Sequence, residues 1–339
     1  MRLVPLASAV LGASLFCGTL PAQLTGKSEG KVEFIGLETW SPEKLAAAVK
    51  DKCNGHYCAA TLKKDLGFAD AAVMLHAGSE LRTVVAVVEP QFASRVRYKP
   101  APEGAVFVPR GWENGVALVE KSMSFQAAIL QYALVLAEGT DAGAAALEGN
   151  WEAADISGAR EVWAFLKKRS AGADCAQAVW CVDRAASAQV RQLAAAILMN
   201  FHRDDVAWWA LADGLRDSDD GVKMTCQQVL FAMSKRYARP VEWRPAVPAL
   251  RAVLDGTNLF AFGVLAKALD ATAVAPDLAP DLLAGAGHAL LAHAKAEGED
   301  ERKGAVALLE RLSGKRLAGP KEWAEWVGKL ETREQAVRR

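Results

Sequence analysis

The sequence has no net charge and little of the chemistry that marks a catalytic centre. Its 339 residues contain 40 basic and 40 acidic side chains and five histidines. A protein that binds nucleic acid by neutralising phosphates needs an excess of positive charge, so a nucleic-acid partner is not expected. No Gly-x-Ser-x-Gly, His-Glu-x-x-His or Gly-x-x-x-x-Gly-Lys motif occurs. We therefore predict a non-enzymatic protein with no catalytic residues, no cofactor and no metal ion.

Histidine and aspartate spacings also argue against a metal site. His288 and His293 are five residues apart, which places them about 140° apart around a helix and on different faces. The run from Asp217 to Gly221 resembles a calcium loop, but it is too short and lacks the distal Glu.

Long apolar runs are missing after residue 22. No later stretch of 18 uncharged apolar residues exists, so no transmembrane helix is expected in the mature chain. Before that point, Arg2 precedes an almost wholly apolar run over residues 3–20, and Ala22 follows. This pattern is typical of a cleaved secretory signal peptide over 1–22, with a retained anchor as the alternative. We expect an exported protein, periplasmic or extracellular, with a linker over 23–30.

Cysteine is scarce, and one close pair stands out. Cys53 and Cys58 flank Asn54-Gly55, a turn signal that could bring the two sulfurs together. Because an exported protein meets oxidising conditions, we predict a local disulfide. A metal site that includes His56 is the alternative, but it lacks a second pair of ligands. The remaining cysteines of the mature chain are expected to be buried thiols: Cys175, Cys181 and Cys226.

Residues 31–90 predict a small α/β module with the element order βααββ. Ser41-Pro42-Glu43 combines an N-cap, a proline at the first helical position and an acid in the first turn. A β-prone run precedes this helix start, and a second helix and a hairpin follow it. The expected strands are 32–35, 71–76 and 81–88, and the second helix is 59–66.

This module resembles a POTRA domain, the polypeptide-transport-associated fold of exported bacterial proteins. The residues that carry the resemblance are VEFIGLETWSPEKL, LKKDLGFADAAV and RTVVAVVEP. The resemblance implies a docking domain that recruits client chains by strand addition. The sequence departs from the family at Gly36-Leu37, where Gly-Asn is usual, and no β-barrel follows. A generic α/β cap is the alternative.

Residues 91–121 form a connector in which several prolines exclude a continuous helix. Arg95, Arg97 and Lys99 alternate with Val96 and Tyr98. The alternation predicts one strand with a solvated face. A basic ribbon that binds an acidic partner is the alternative.

From residue 122 to residue 339 the pattern predicts a helical array. Two helical runs match in register at an offset of 32 residues, from Val190 to Val222, with Ser187 and Asp219 as corresponding N-caps. A third run is expected to begin with Asn258 as its cap. Stacked helix pairs can bury apolar stripes that one pair cannot, which predicts an α-solenoid. The predicted repeat core is Val190, Leu193, Ile197, Leu198, Val222, Val229 and Leu230.

The run LADGLRDSDDGVKMTCQQVL resembles one HEAT repeat, with a helix, an Asp-rich turn and a second helix that begins with Val and a base. The resemblance is to exported bacterial HEAT arrays and extends over residues 158–330, where Trp323 and Trp326 would close the stack. It implies that a turn acid and an early base tie neighbouring repeats together. The matching residues are Asp217, Asp219 and Lys223. The first repeat has Ala185 in place of Asp217, which puts its tie in doubt.

Trp208 and Trp209 are adjacent, so they point about 100° apart on a helix. Either both pack into neighbouring helices, or one is exposed and acts as a binding anchor. We treat them as a candidate binding surface.

The fold class expected is mainly α, a HEAT-like α-solenoid preceded by a small βααββ α/β module. The expected function is that of an exported protein-binding scaffold with a protein partner. One alternative is an envelope assembly or transport accessory whose module docks client chains. The other is an enzyme with a site between the module and the array. The sequence does not indicate the partner or the oligomeric state.

Overall fold

The computed structural model describes residues 31–53, 57–77, 81–121, 125, 126, 128, 129 and 159–337. The predicted signal peptide, the linker and most of the first predicted array helix lie outside the described residues. The described part is mainly helical and contains a three-stranded sheet.

The N-terminal elements follow the predicted order βααββ. The strands are β1 (Lys31–Ile35), β2 (Asp70–Ala77) and β3 (Leu81–Val88), and the helices are α1 (Pro42–Cys53) and α2 (Ala59–Lys64). Strand β3 lies in the centre, parallel to β1 and antiparallel to β2, with Val85 opposite both Phe34 and Val73. As predicted, α1 begins after Ser41, whose hydroxyl accepts a hydrogen bond from the Lys44 N–H.

A buried carboxylate fixes the loop that enters α1. Glu89, at the end of β3, accepts hydrogen bonds from the backbone N–H groups of Glu38, Thr39 and Trp40. Burial opposes the charged form of Glu89, but these bonds and the Thr39 hydroxyl outweigh it and lower the pKa to about 2. The sequence contains no local signal for this contact, because the partners lie about 50 residues apart.

Both faces of the sheet are covered. On β3, Val85 and Val87 pack with α1 and α2, whereas Val84, Ala86 and Val88 join the core of the large helical part. Successive side chains of a strand point to opposite faces, so the apolar run of β3 supplies two cores at once. One face of the sheet is therefore part of the hydrophobic core of the helical part.

Twelve further helices of the described part follow the sheet, and no described helix is both long and apolar enough to cross a membrane. They are α3 (Glu113–Glu120), α4 (Ala159–Lys167), α5 (Gly172–Arg184), α6 (Ala188–Ile197), α7 (Asp205–Gly214), α8 (Asp220–Arg236), α9 (Val247–Asp255), α10 (Phe262–Ala271), α11 (Ala279–Leu283), α12 (His288–Ala294), α13 (Glu299–Ser313) and α14 (Pro320–Val337). Short 3₁₀ turns lie at Pro90–Arg95, Leu198–Phe201, Arg244–Ala246 and Pro276–Leu278.

These helices contact one another in two parallel series. The inner series is α6, α8, α10 and α13, and the outer series is α5, α7, α9 and α11. Trp323 on α14 is buried where this helix contacts α11 and α12. Every predicted repeat-core residue is buried: Val190, Leu193, Ile197, Leu198, Val222, Val229 and Leu230.

The helix caps agree with the prediction in two of three places. Ser187 and Asp219 accept hydrogen bonds from the N–H groups of Val190 and Val222. The prediction for Asn258 is wrong, because α10 begins later, after Ala261. Asn258 has a left-handed backbone (φ 55), which asparagine tolerates, and its amide donates to the Leu215 carbonyl at 2.8 Å.

A buried histidine makes the stability of the helical part depend on pH. His293 on α12 stacks on Phe262 with ring centroids 4.0 Å apart, and its Nε2 has no hydrogen-bond partner among the described residues. Burial lowers its pKa to about 4, although the charge of Glu301 opposes this shift. His293 is therefore neutral in the folded protein near neutral pH.

We expect the free energy of unfolding to fall by about 2–3 kcal/mol as the pH decreases from about 6.5 to about 4. Between these pH values, His293 binds a proton in the unfolded protein but not in the folded protein. The contribution of neutral His293 to the free energy of unfolding is therefore complete above about pH 6.5. Denaturant unfolding at several pH values measures the slope, and His293→Phe should flatten it. His288→Gln removes a half-exposed histidine and should leave the slope in place; equal slopes for wild type and His293→Phe would contradict the assignment.

Candidate functional site

The junction between the module, the connector and the helical part gathers charged side chains. Four acids lie at or shortly after the C-terminal ends of four helices: Asp183 on α5, Asp213 on α7, Asp255 on α9 and Glu297 shortly after α12. We call these four residues the acidic edge. Lys99 lies 2.6 Å from Asp183 and 2.5 Å from Asp213, and Arg97 lies 2.9 Å from Asp255. Lys31 at the start of β1 completes the series at 2.6 Å from Glu297.

Residues 96–99 of the connector contact the helix ends and form neither a helix nor a strand. Its backbone is held as well, because the N–H groups of Arg97 and Lys99 donate to Thr257 Oγ1 and the Arg216 carbonyl. Burial opposes the charged form of Lys99, but its bonds to two carboxylates prevail and raise its pKa. The prediction of a strand with a solvated basic face is wrong here, since these bases pair with acids of the same chain.

A second contact lies deeper in the junction. The Asp70 carboxyl is buried at the start of β2 and accepts hydrogen bonds from the Tyr98 hydroxyl and the Leu259 N–H, both at 3.1 Å. Burial raises the pKa of Asp70, and burial together with the charge of Asp70 raises the pKa of Tyr98. The pair joins the sheet, the connector and the loop before α10.

Glu33 on β1 takes the place of a capping residue for α13. Its buried carboxylate accepts hydrogen bonds from the N–H groups of Gly298, at 3.1 Å, and Glu297. Arg82 binds Glu33 at 3.1 Å and Glu301 at 2.5 Å. Unsatisfied N–H groups at a helix start favour an acid, so the sheet and α13 stabilise each other.

The three predicted inter-repeat polar residues have three different roles. Asp217 is buried and binds Arg191 of the preceding hairpin in a two-pronged ion pair at 2.7 and 3.0 Å. Asp219 caps α8 instead. Lys223 binds Asp220 at 2.7 Å on its own helix and lies over the Tyr98 ring at 4.4 Å. The inter-repeat role is therefore wrong for Asp219 and Lys223, and the base that ties two hairpins is Arg191.

The two adjacent tryptophans do not form an exposed anchor. Trp208 is fully buried, donates to the His202 carbonyl at 2.9 Å and packs edge-on against Trp243. The interpretation as a binding surface is wrong for Trp208, because the apolar stripe of α7 points it into the core. Trp209 is half-buried and donates to the Glu242 carbonyl at 2.7 Å.

A different aromatic pair is exposed. Phe107 of the connector packs edge-on against Trp180 of α5 at 5.7 Å, with exposed fractions of 47% and 44%. Val106, 70% exposed, precedes Phe107 in the chain. We call Val106, Phe107 and Trp180 the aromatic patch. Sequence reasoning missed Trp180, although it lies off the stripe of buried residues of α5: Cys175, Ala178, Cys181 and Val182.

Three of the four cysteines whose side chains are described are buried, as predicted. Cys175, Cys181 and Cys226 are buried, and burial raises the pKa of each thiol. Cys58 is exposed, and the side chain of Cys53 lies outside the described residues, as do residues 54–56. The Cys53–Cys58 disulfide stays a prediction.

Within the described ranges, no group of three or more His, Cys, Asp or Glu side chains lies close enough together to hold a metal ion. No protein-family model matches the chain, and no curated protein is significantly similar to it.

Proposed function

We propose that the protein is an exported, non-enzymatic scaffold that binds a protein partner on a HEAT-like α-solenoid. The observation that carries this proposal is the aromatic patch on the stacked helices. Half-exposed aromatic side chains are enriched at the centres of protein interfaces, where they bury much area at a low entropic cost. The partner would present an apolar side chain to Phe107 and Trp180.

The stacking supports the solenoid part of the proposal. Two series of helices run in parallel, and the Arg191–Asp217 pair links consecutive hairpins at a buried position. Such a stack presents a surface larger than any one hairpin, and a partner can contact several units at once. Because Phe107 belongs to the connector and Trp180 to α5, the patch requires the connector to be docked on the array.

Site-specific photo-crosslinking tests the proposal. We expect a photoreactive phenylalanine at position 107 of the full chain to give a discrete protein adduct in envelope extracts of the producing organism. Adding Trp180→Ala should reduce the adduct at least tenfold, because the patch loses its larger ring. The matched control carries the same probe at Val206, an exposed apolar residue of α7 outside the patch. Identical adducts from both positions, or an adduct unaffected by Trp180→Ala, would count against the proposal.

A further inference from the structure

His288 and Arg97 bind the two oxygens of one buried carboxylate. Asp255, the last residue of α9, is 5% exposed. His288 Nδ1 lies 2.6 Å from its Oδ1, and an Nη of Arg97 lies 2.9 Å from its Oδ2. The side chains of His288 and Arg97 are 41% and 43% exposed. Asp255 thus holds an imidazole and a guanidinium next to each other at the surface.

This contact sets the tautomer of the imidazole. An ionised carboxylate only accepts hydrogen bonds, so Nδ1 of a neutral His288 carries the proton and Nε2 keeps its lone pair. Arg97 uses one of its three guanidinium nitrogens on Asp255, and a guanidinium has five N–H groups in all. The surface therefore offers one acceptor beside several charged donors.

A ligand that complements this pair presents an O–H to Nε2 and an O⁻ to Arg97. Inorganic phosphate near neutral pH carries both groups on one tetrahedral centre, and a phosphate monoester carries both below its second pKa of about 6. Sulfate and ordinary carboxylates have no O–H under the same conditions. Arg251 adds positive charge nearby, because it binds the carbonyls of Asp281 and Ala284 in the segment that leads to His288.

We propose that Arg97 and His288 bind a phosphate group, with Asp255 as the positioning residue. This site is separate from the aromatic patch and does not depend on the scaffold function. Its ligand is free phosphate, a soluble phosphate monoester or the monoester headgroup of a lipid.

The first experiment titrates the full-length protein with inorganic phosphate and with sulfate at equal ionic strength. Side-chain ¹⁵N NMR reports the tautomer of His288. We expect a protonated Nδ1 before addition, a saturable shift of Nε2 with phosphate, and at least tenfold weaker binding of sulfate. A protonated Nε2 with a bare Nδ1, no saturable shift, or equal binding of the two anions would overturn the proposal.

The variants Arg97→Gln and His288→Phe should each weaken phosphate binding at least tenfold. Arg311→Gln is the matched control, because it removes a part-exposed arginine that pairs with Asp270 at 2.7 Å and contacts no residue of the proposed site. Thermal melting shows whether each variant is folded. If His288→Phe does not fold, the phosphate affinity of Arg97→Gln, which changes a surface side chain, decides the test. Unchanged binding in a folded Arg97→Gln protein would contradict the site.

Vesicles distinguish the sources of the phosphate group. Phosphatidylcholine vesicles with and without phosphatidic acid differ in a phosphate monoester at the membrane surface. Binding that requires phosphatidic acid and is lost in Arg97→Gln supports a lipid headgroup. Binding of inorganic phosphate without vesicle binding supports a soluble ligand, and binding of neither overturns the proposal.

Discussion

Replacing Arg191 with alanine should destabilise the protein by about 3–5 kcal/mol, the range for a buried ion pair that loses one partner. Arg191 and Asp217 are both almost completely buried and share two hydrogen bonds. The guanidinium also donates to the carbonyls of Ala185 and Ala186 at the turn before α6. Without it, the Asp217 carboxylate stays buried, and among the described residues only the Asp219 N–H still binds it. Denaturant unfolding of the full chain measures the loss.

The chain contains a matched control for this change. Arg244 and Asp277 also join consecutive helical hairpins, at 2.7 Å, but both side chains are more than half exposed. Exposed ion pairs contribute about 0–1 kcal/mol, so Arg244→Ala should have a small effect. Equal losses for Arg191→Ala and Arg244→Ala would show that the Arg191–Asp217 pair is not buried in solution.

Replacing Val229 with aspartate should unfold the helical part in one cooperative transition. Val229 lies in the middle of α8, is fully buried and belongs to the core shared by the inner helices. A buried unpaired carboxylate costs several kcal/mol, which is comparable to the whole stability of a typical domain. The far-ultraviolet and near-ultraviolet circular dichroism signals should therefore disappear together, at a lower temperature than in the wild-type protein.

Val206→Asp is the matched control, since it makes the same exchange at an exposed position. Val206 lies in the first turn of α7, where an acid interacts favourably with the helix dipole. Its effect should stay within about 0.5 kcal/mol of wild type. An unchanged melting temperature for Val229→Asp would contradict the register in which Val190 and Val222 correspond.

The core of the helical part was predictable, because it depends on local periodicity. The buried positions of α6 and α8 recur at an offset of 32 residues, and Ser187 and Asp219 mark the start of each helix. The two-sided burial of β3 also has a signal, since its uninterrupted apolar run is typical of strands covered on both faces. Asn258 was mispredicted because a side-chain contact with Leu215, far away in sequence, outcompetes its use as a cap.

The charged junction could not be derived from spacing. Lys99 contacts Asp183 and Asp213, which lie 84 and 114 residues away, and Arg97 contacts Asp255 across 158 residues. No periodic pattern links such partners. The alternation of residues 95–99 alone therefore predicted a strand with a solvated face. Similarly, only a three-dimensional arrangement shows that Trp180 is exposed beside Phe107 whereas Trp208 is buried.

The runner-up interpretation, a module that captures client strands, is constrained by the sheet. Both faces are buried, and β3 is paired on both sides, so strand addition would have to use the outer edge of β1 or β2. Glu33 and Lys31 tie β1 to the region before α13. A client would therefore have to bind without separating the module from the helices.

Hydrogen exchange of the α8 amides in the full-length protein tests the stacked arrangement most directly. Helix α8 lies between α6 and α10 in the inner series and also contacts α7. If the stack exists in solution, its central amides exchange only through global opening and are protected together with those of α6 and α10. Rapid exchange across α8 under native conditions, while α6 and α10 stay protected, would contradict the arrangement.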